Sequence, residues 1–300
     1  MPRHPVVGIS AKHPRPDLSD LAAILDDCQS LGVDTIELPT YDMDLVVGGK
    51  VDKPQMAVFK KSLAGRSVGW TVHGPLSINL MDDAFRIPRH FEVLKASVEV
   101  AAEIGATNYV LHTGHRPIGL ADGIDDAYAR QREWLTKAGD LAKAHGIAIC
   151  VENLFDWTWG KLHTAPASHL ARELITVGHS HISATVDFGH AYLETGWRGG
   201  RFIDEVQPLT AIAKHLHMHD NFGRADDIYM YADGERVAYG HGDLHLPVGW
   251  SDLPWAEVMR TCKFVDGVVF NIELNHRHWH VAKECVAAVR ELAASAKLGA

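Results

Sequence analysis

The segment AKHLHMHDNFG, residues 213–223, sets His215, His217 and His219 at alternate positions and follows them with Asp220. Alternate side chains of a β-strand share one face, so such a strand presents three imidazoles to one side. Neutral imidazole is the commonest side-chain ligand of metal ions. The chain carries 20 histidines in 300 residues, so a chance alignment is the competing explanation, and the other strand-like runs must decide. SVGWTVH ends at His73, TNYVLH at His112, IAICVE at Glu152, ISATVD at Asp187 and GVVFNIE at Glu273, while Glu37 stands near the end of VDTIEL. Any one of these is commonly an ordinary hydrogen-bonded histidine or an ion-pair carboxylate. Gathered unpaired in one buried place, they would cost on the order of several kcal/mol each. A shared cation removes that cost, so a divalent metal site is expected where they meet.

The elements that would bring them together are legible in the periodicity. The β-branched runs 6–10, 33–38, 67–73, 107–112, 147–152, 182–187, 213–219 and 267–273 alternate with segments such as 17–31, 88–104, 125–145 and 278–297. In the latter, apolar residues recur three and four positions apart, as in a helix. Leu94, Val98, Ala101 and Ile104 share one face, and Gly105 and Gly146 stand where helices end on glycine. Eight strand–helix repeats predict an α/β fold, a (β/α)8 TIM barrel, over a single domain of residues 1–300. An open doubly wound sheet shares the alternation. In a barrel, side chains at the C-terminal strand ends form the active site. The longest connection, about 220–251, is rich in Gly, Asp and His and is expected to serve that site.

Composition narrows the classes further. Hydrophobic residues make up 46% and charged residues 22%, ordinary values for a globular protein. The net charge of −9 offers no general attraction for nucleic-acid phosphates. Cys28, Cys150, Cys262 and Cys285 form no Cys-x-x-Cys pair and read as buried thiols of a reducing compartment. The N-terminal stretch MPRHPVVGISAKHPRP has no apolar core of a signal peptide. A cytoplasmic location with no membrane partner is the expectation.

The motifs VHGPLSINL (72–80), VLHTGH (110–115), VENLFDW (151–157), VDFGHAY (186–192), LHMHD (216–220), GDLHLPVGWSDLPW (242–255) and IELN (272–275) together resemble the xylose-isomerase-like TIM barrels. That superfamily includes sugar phosphate isomerases and epimerases and the endonuclease IV relatives of AP endonuclease family 2. The resemblance implies a four-ligand divalent site at Glu152, Asp187, His217 and Glu273. It also implies that Glu152 and Glu273 move the proton in the isomerase branch. Against the endonuclease pattern, His73, His112, His190, Asp243 and His245 fill five further ligand positions, enough for three zinc ions. His219 stands where that branch has an asparagine, which implies a role beside the metal or toward substrate. His215 is expected one layer lower in the barrel.

The same resemblance implies a sugar or sugar-like keto substrate transformed through an enediolate, with a zinc phosphodiesterase as the alternative. The strand TIELP, Leu76 where the endonuclease pattern has an aromatic, and the tryptophans after Glu152 favour the first reading. Trp157 and Trp159 fit either the wall of a sugar pocket or a cap on the core. His190 and Arg224 are candidates to hold substrate oxygens. HRHWH, 276–280, is either an anion site or a basic turn opening the last helix. Four ligands rich in oxygen suit Mn²⁺ or Mg²⁺, and the histidine-rich nine suit Zn²⁺.

Overall fold

The structure is a computed structural model and describes residues 5–119 and 123–299. Residues 1–4, the start of the N-terminal stretch read above, lie outside it, as do 120–122 and 300. Eight strands form the frame: β1 (Val6–Ser10), β2 (Thr35–Pro39), β3 (Gly69–His73), β4 (Asn108–His112), β5 (Ala148–Glu152), β6 (Ile182–Asp187), β7 (Ala213–Met218) and β8 (Val269–Ile272). Each pairs in parallel with its sequence neighbours, and β1 closes on β8. The closed barrel agrees with the predicted fold, and the eight runs read from the sequence are its eight strands.

Helices cross between the strands: α1 (Leu21–Ser30), α2 (Lys53–Leu63), α3 (Ile87–Glu103), α4 (Ile124–His145), α5 (Ala167–Val177), α6 (Phe188–Arg198), α7 (Phe202–Thr210), α8 (Asp233–Tyr239), α9 (Trp255–Thr261) and α10 (Ala282–Ser295). Leu94, Val98 and Ala101 are buried on α3, and Gly105 and Gly146 take the positive φ that ends a helix without a Cβ clash. The final helix starts later than its apolar pattern suggested. Residues His276–Val281 wind as a 3-10 turn, and α10 takes over at Ala282. The long connection is not wholly irregular, since it contains α8. Among the described residues, no helix is long and apolar enough to cross a membrane.

The period-2 alternation divides each strand between two environments. Ile36, Leu38, Val72, Leu111, Val151, Val186, Leu216 and Ile272 belong to the apolar core shared with the helices. The intervening residues turn into the barrel, where the filling is polar. Glu37 Oε2 lies 2.8 Å from His215 Nε2 across the interior. Glu37 Oε1 accepts from Ser10 Oγ and Asn271 Nδ2 at 2.9 and 3.2 Å. His215 thus occupies the lower layer, as expected. The register sets His112 beside Glu152 and Asp187 beside His217 at the upper ends. All four cysteines are buried free thiols.

Candidate functional site

His217 is the hub of the upper layer. Its Nδ1 lies 3.1 Å from Glu152 Oε1, 3.4 Å from Glu273 Oε2 and 3.6 Å from Asp187 Oδ2. A single N–H serves one acceptor, so hydrogen bonding alone does not account for three carboxylates around one nitrogen. Three carboxylate oxygens within 3.1–3.6 Å of one imidazole nitrogen make up the kinds of donor that suit a divalent cation. The opposite nitrogen, Nε2, stands 3.4 Å from both Glu37 oxygens. A carboxylate behind a ligating imidazole fixes its tautomer and strengthens it as a donor. Glu37 therefore orients His217 from the layer below.

Asp187 does two things at once. It ends β6 and caps α6, its Oδ1 accepting the His190 N–H at 2.6 Å. That bond leaves Oδ2 turned to His219 Nε2 at 3.1 Å and to His217. Asn153 clamps the same backbone: its Oδ1 accepts from Asp187 N and its Nδ2 donates to Asp187 O, both at 2.9 Å. The glycine of DFGH is demanded by packing, because a Cβ on Gly189 would lie 2.1 Å from His219 Cε1.

Around this core the other expected residues also gather. His73 and His112 bring Nε2 to 3.3 and 3.5 Å from Glu152 Oε2, which nonetheless has no well-aligned hydrogen bond. His190 approaches Glu152 Oε1 at 3.4 Å and Asp243 Oδ2 at 3.3 Å. Asp243 Oδ2 pairs with His245 Nε2 at 2.8 Å, and the His245 ring stacks on His219 at 3.9 Å. His245 holds a positive φ of 46°, a conformation rare outside glycine. Asp243 Oδ1 and His219 Nδ1 are, like Glu152 Oε2, buried without a hydrogen-bond partner. These orphaned atoms and the donor set fit a bound cation. Glu152, Asp187, His217 and Glu273 would hold it, and His190, Asp243 and His245 form a second trio within ligand range of one another.

The field of the cluster sets protonation. Burial opposes the charge on His217, but Glu273, Glu152 and Glu37 outweigh it and hold the imidazole well above its ordinary value of 6.5. Burial likewise opposes charge on Glu152, and the charge and hydrogen bond of His217 above all reverse this, holding the carboxyl well below 4.5. For His245, Asp243 overcomes burial and raises the pKa to about 9. His112 is dominated by burial, which pushes it down to about 3 and keeps it neutral.

The site opens into a cleft of about 460 Å³ bordered by Glu152, Glu273, His73, His112, His245 and Tyr41. Tyr41 and His13 meet at its mouth, with Tyr41 Oη 3.2 Å from His13 Nε2 and His13 Nδ1 2.6 Å from Asp42. Sequence reasoning missed Tyr41, on a single 3-10 turn, and His13 and Asn153, on loops, none with a period to mark it. It noticed Glu37 only as one more strand-end acid. Of the expected substrate contacts, Trp157 faces an adjoining lobe and is half-exposed. Trp159 packs instead on Phe155 and Trp197. The structure does not bring Arg224 to the cleft: its guanidinium donates to the Tyr239 carbonyl at 2.9 Å within the long loop. In HRHWH, His276 borders the cleft while His278 is buried against Trp250. Asp220, the aspartate after the histidine row, anchors the long loop. It accepts from Trp255 Nε1, Gly249 N and Ser251 N.

Comparison with known proteins places the fold. The chain superposes on a D-tagatose 3-epimerase-like protein with a TM-score of 0.69 and 20% identity, covering 96% of this chain and 98% of that one. It superposes on a 3-keto-D-glucoside 4-epimerase from E. coli with a TM-score of 0.62 and 13% identity, covering 96% and 99%. It superposes on the IOLI protein, solved with a zinc atom, with a TM-score of 0.63 and 13% identity, covering 96% of each chain. At these identities the likeness is one of fold. In sequence it is 24% identical over 204 residues to an uncharacterised protein of Methanocaldococcus jannaschii. That match spans 67% of this chain and 62% of the relative's length. The model of one family, described as xylose isomerase-like TIM barrel, matches residues 25–296. The chain therefore belongs to the xylose isomerase-like TIM barrel family.

Proposed function

We propose that this protein is a divalent-metal-dependent isomerase or epimerase acting on a sugar or sugar-like keto substrate. The observation that carries the reading is His217 Nδ1 facing Glu152, Asp187 and Glu273, with Glu152 and Glu273 bordering a cleft large enough for a sugar. A divalent cation held by those four residues supplies Lewis-acid stabilisation of negative charge developing on neighbouring substrate oxygens. The chain's own residues move the proton. Glu273 is the more open carboxylate, with 14% of its side chain exposed against 1% for Glu152. It accepts the proton from the carbon beside the carbonyl, leaving an enediolate. The proton returns to the neighbouring carbon or to the opposite face through Glu152 and the imidazoles of His73 and His190 packed on it. His190 and Tyr41 border the space where the sugar hydroxyls would lie.

One observation favours a second reading, a zinc phosphodiesterase: all nine residues of the larger set converge, including His190, Asp243 and His245 within ligand range. Anomalous scattering at the metal edges, run beside assays on a ketose panel and on abasic DNA, separates the two. One strong site and turnover of a ketose are expected. Three zinc sites with incision of abasic DNA would install the second reading instead.

Proton release offers an independent count. His217 is held protonated by its three carboxylates, so an ion must displace that proton to bind. One ion at the four-residue site releases about one proton, and affinity falls by about tenfold per pH unit on acidification below the His217 pKa. A three-ion cluster would also discharge His73, His190 and His245, which are raised as well. Calorimetry of Mn²⁺ or Zn²⁺ binding near pH 6 in buffers of different ionisation heat measures the number. A release of three or four protons would contradict the single-ion site.

A further inference from the structure

The cleft above the carboxylates is not the whole cavity. A second lobe of about 530 Å³ adjoins it, and the two share Leu76, His112 and His190 on their borders. The lobes differ in chemistry. The first is ringed by carboxylates and imidazoles. The second has an apolar wall of Leu76, Leu154, Phe155 and Trp157.

Three polar residues of the second lobe, Asn79, Asp82 and His90, are already engaged in local hydrogen bonds. Asn79 Oδ1 accepts from Met81 N and His115 N, and its Nδ2 donates to His115 O. Asp82 Oδ2 holds His90 Nε2 at 3.1 Å. The polar residues that remain, Ser77 and His115 with the shared His112 and His190, stand beside the apolar wall rather than on it.

Trp157 is 44% exposed and Leu76 43%, although both border a cavity. Trp157 is not exposed through looseness. Asp156 beside it is fully buried, and its carboxylate accepts from Thr158 N and Gly160 N. Its own N–H donates to the buried Glu194 at 3.0 Å. The His115 ring supports the indole edge-on at 5.0 Å. The fold thus holds a large aromatic surface open toward a cavity, an arrangement that marks a binding surface.

We propose that the keto substrate is a glycoside in preference to a free sugar, its carbonyl on a ring carbon other than the anomeric one, with that ring over the carboxylates and a flat, largely apolar aglycone seated between Leu76 and Trp157. This rests on the sugar reading above and names the substrate class of that site. Continuity of the lobes lets one molecule span both. An aromatic face stacked on indole gains affinity beyond simple area burial.

The test is calorimetric titration of the purified protein with phenyl β-D-glucopyranoside, methyl β-D-glucopyranoside and cellobiose. The phenyl compound is expected to bind about tenfold tighter than the methyl compound. Trp157→Ala should remove most of that ratio, and Leu76→Ser should lower it in the same direction. Equal affinity for the phenyl and methyl compounds overturns the aglycone subsite, as does cellobiose binding as tightly as the phenyl compound. Binding by none of the three overturns it too. The ketose panel keeps the two ideas apart, because a protein that turns over free ketoses without aryl preference loses the subsite and keeps the sugar reading.

Discussion

Glu273→Gln is expected to lower kcat by about 10²–10⁴-fold, the range a positioned base supplies, and to leave the barrel folded. Glutamine keeps a carbonyl oxygen near His217 Nδ1, where Glu273 Oε2 now stands at 3.4 Å. It loses the ability to take a proton from carbon. Because Glu273 is partly open to the cleft, the change leaves no fully buried orphan. KM should move little, since the neighbouring donors still hold substrate. Steady-state kinetics on the best ketose, with metal content measured on the same sample, checks this. Near wild-type turnover with full metal content would remove Glu273 from the role of base.

His217→Ala is expected to have the larger effect on the molecule as a whole. In the metal-free protein this imidazole is the shared partner of Glu37, Glu152, Asp187 and Glu273. Removing one member of a buried charged cluster leaves the others uncompensated, at about 3–5 kcal/mol. Metal binding should be lost with it. Denaturant unfolding in a chelating buffer measures the first effect, and a destabilisation under about 1 kcal/mol would show that the cluster is not held by this charge.

The pH dependence follows from the same groups. His217 is raised in the folded protein, so its contribution is complete below the ordinary value of 6.5 and fades as pH rises through its folded pKa. Glu152 is depressed, so its contribution is complete above the ordinary value of 4.5 and fades as pH falls through its folded pKa. Together they put the cluster's strongest support for the metal-free fold between about 4.5 and 6.5. In the proposed metal-bound form, the cation would supply the positive charge above that window.

The strand period and the alternation with helices were enough to read the barrel. The side-chain period of two is a local property of the backbone, so each strand carries its own record of which residues face inward. Strand ends were also local, and His73, His112, Glu152, Asp187 and Glu273 could be picked out one strand at a time. The histidine row of the seventh strand could not be divided that way. Only closure of the barrel gives three neighbours different work: His215 rests on Glu37 below, His217 faces the carboxylates, and His219 bonds Asp187 and stacks on His245.

Loop residues were opaque for the complementary reason. Their directions are set by contacts distant in sequence, not by a period. Arg224 looked available in a polar stretch, yet folding spends it on the Tyr239 carbonyl. Tyr41 and His13 carry no motif and meet only because the loops after the first two strands converge on the barrel mouth. The second lobe is the clearest case. Leu76 and Trp157 stand on loops after the third and fifth strands and border one cavity that no single segment contains. Sequence by itself determined which groups line the barrel's upper rim, because strand geometry is local. Tertiary structure decided which of them share one focus and what lies beside it, because closure and loop packing bring together residues that the chain keeps far apart.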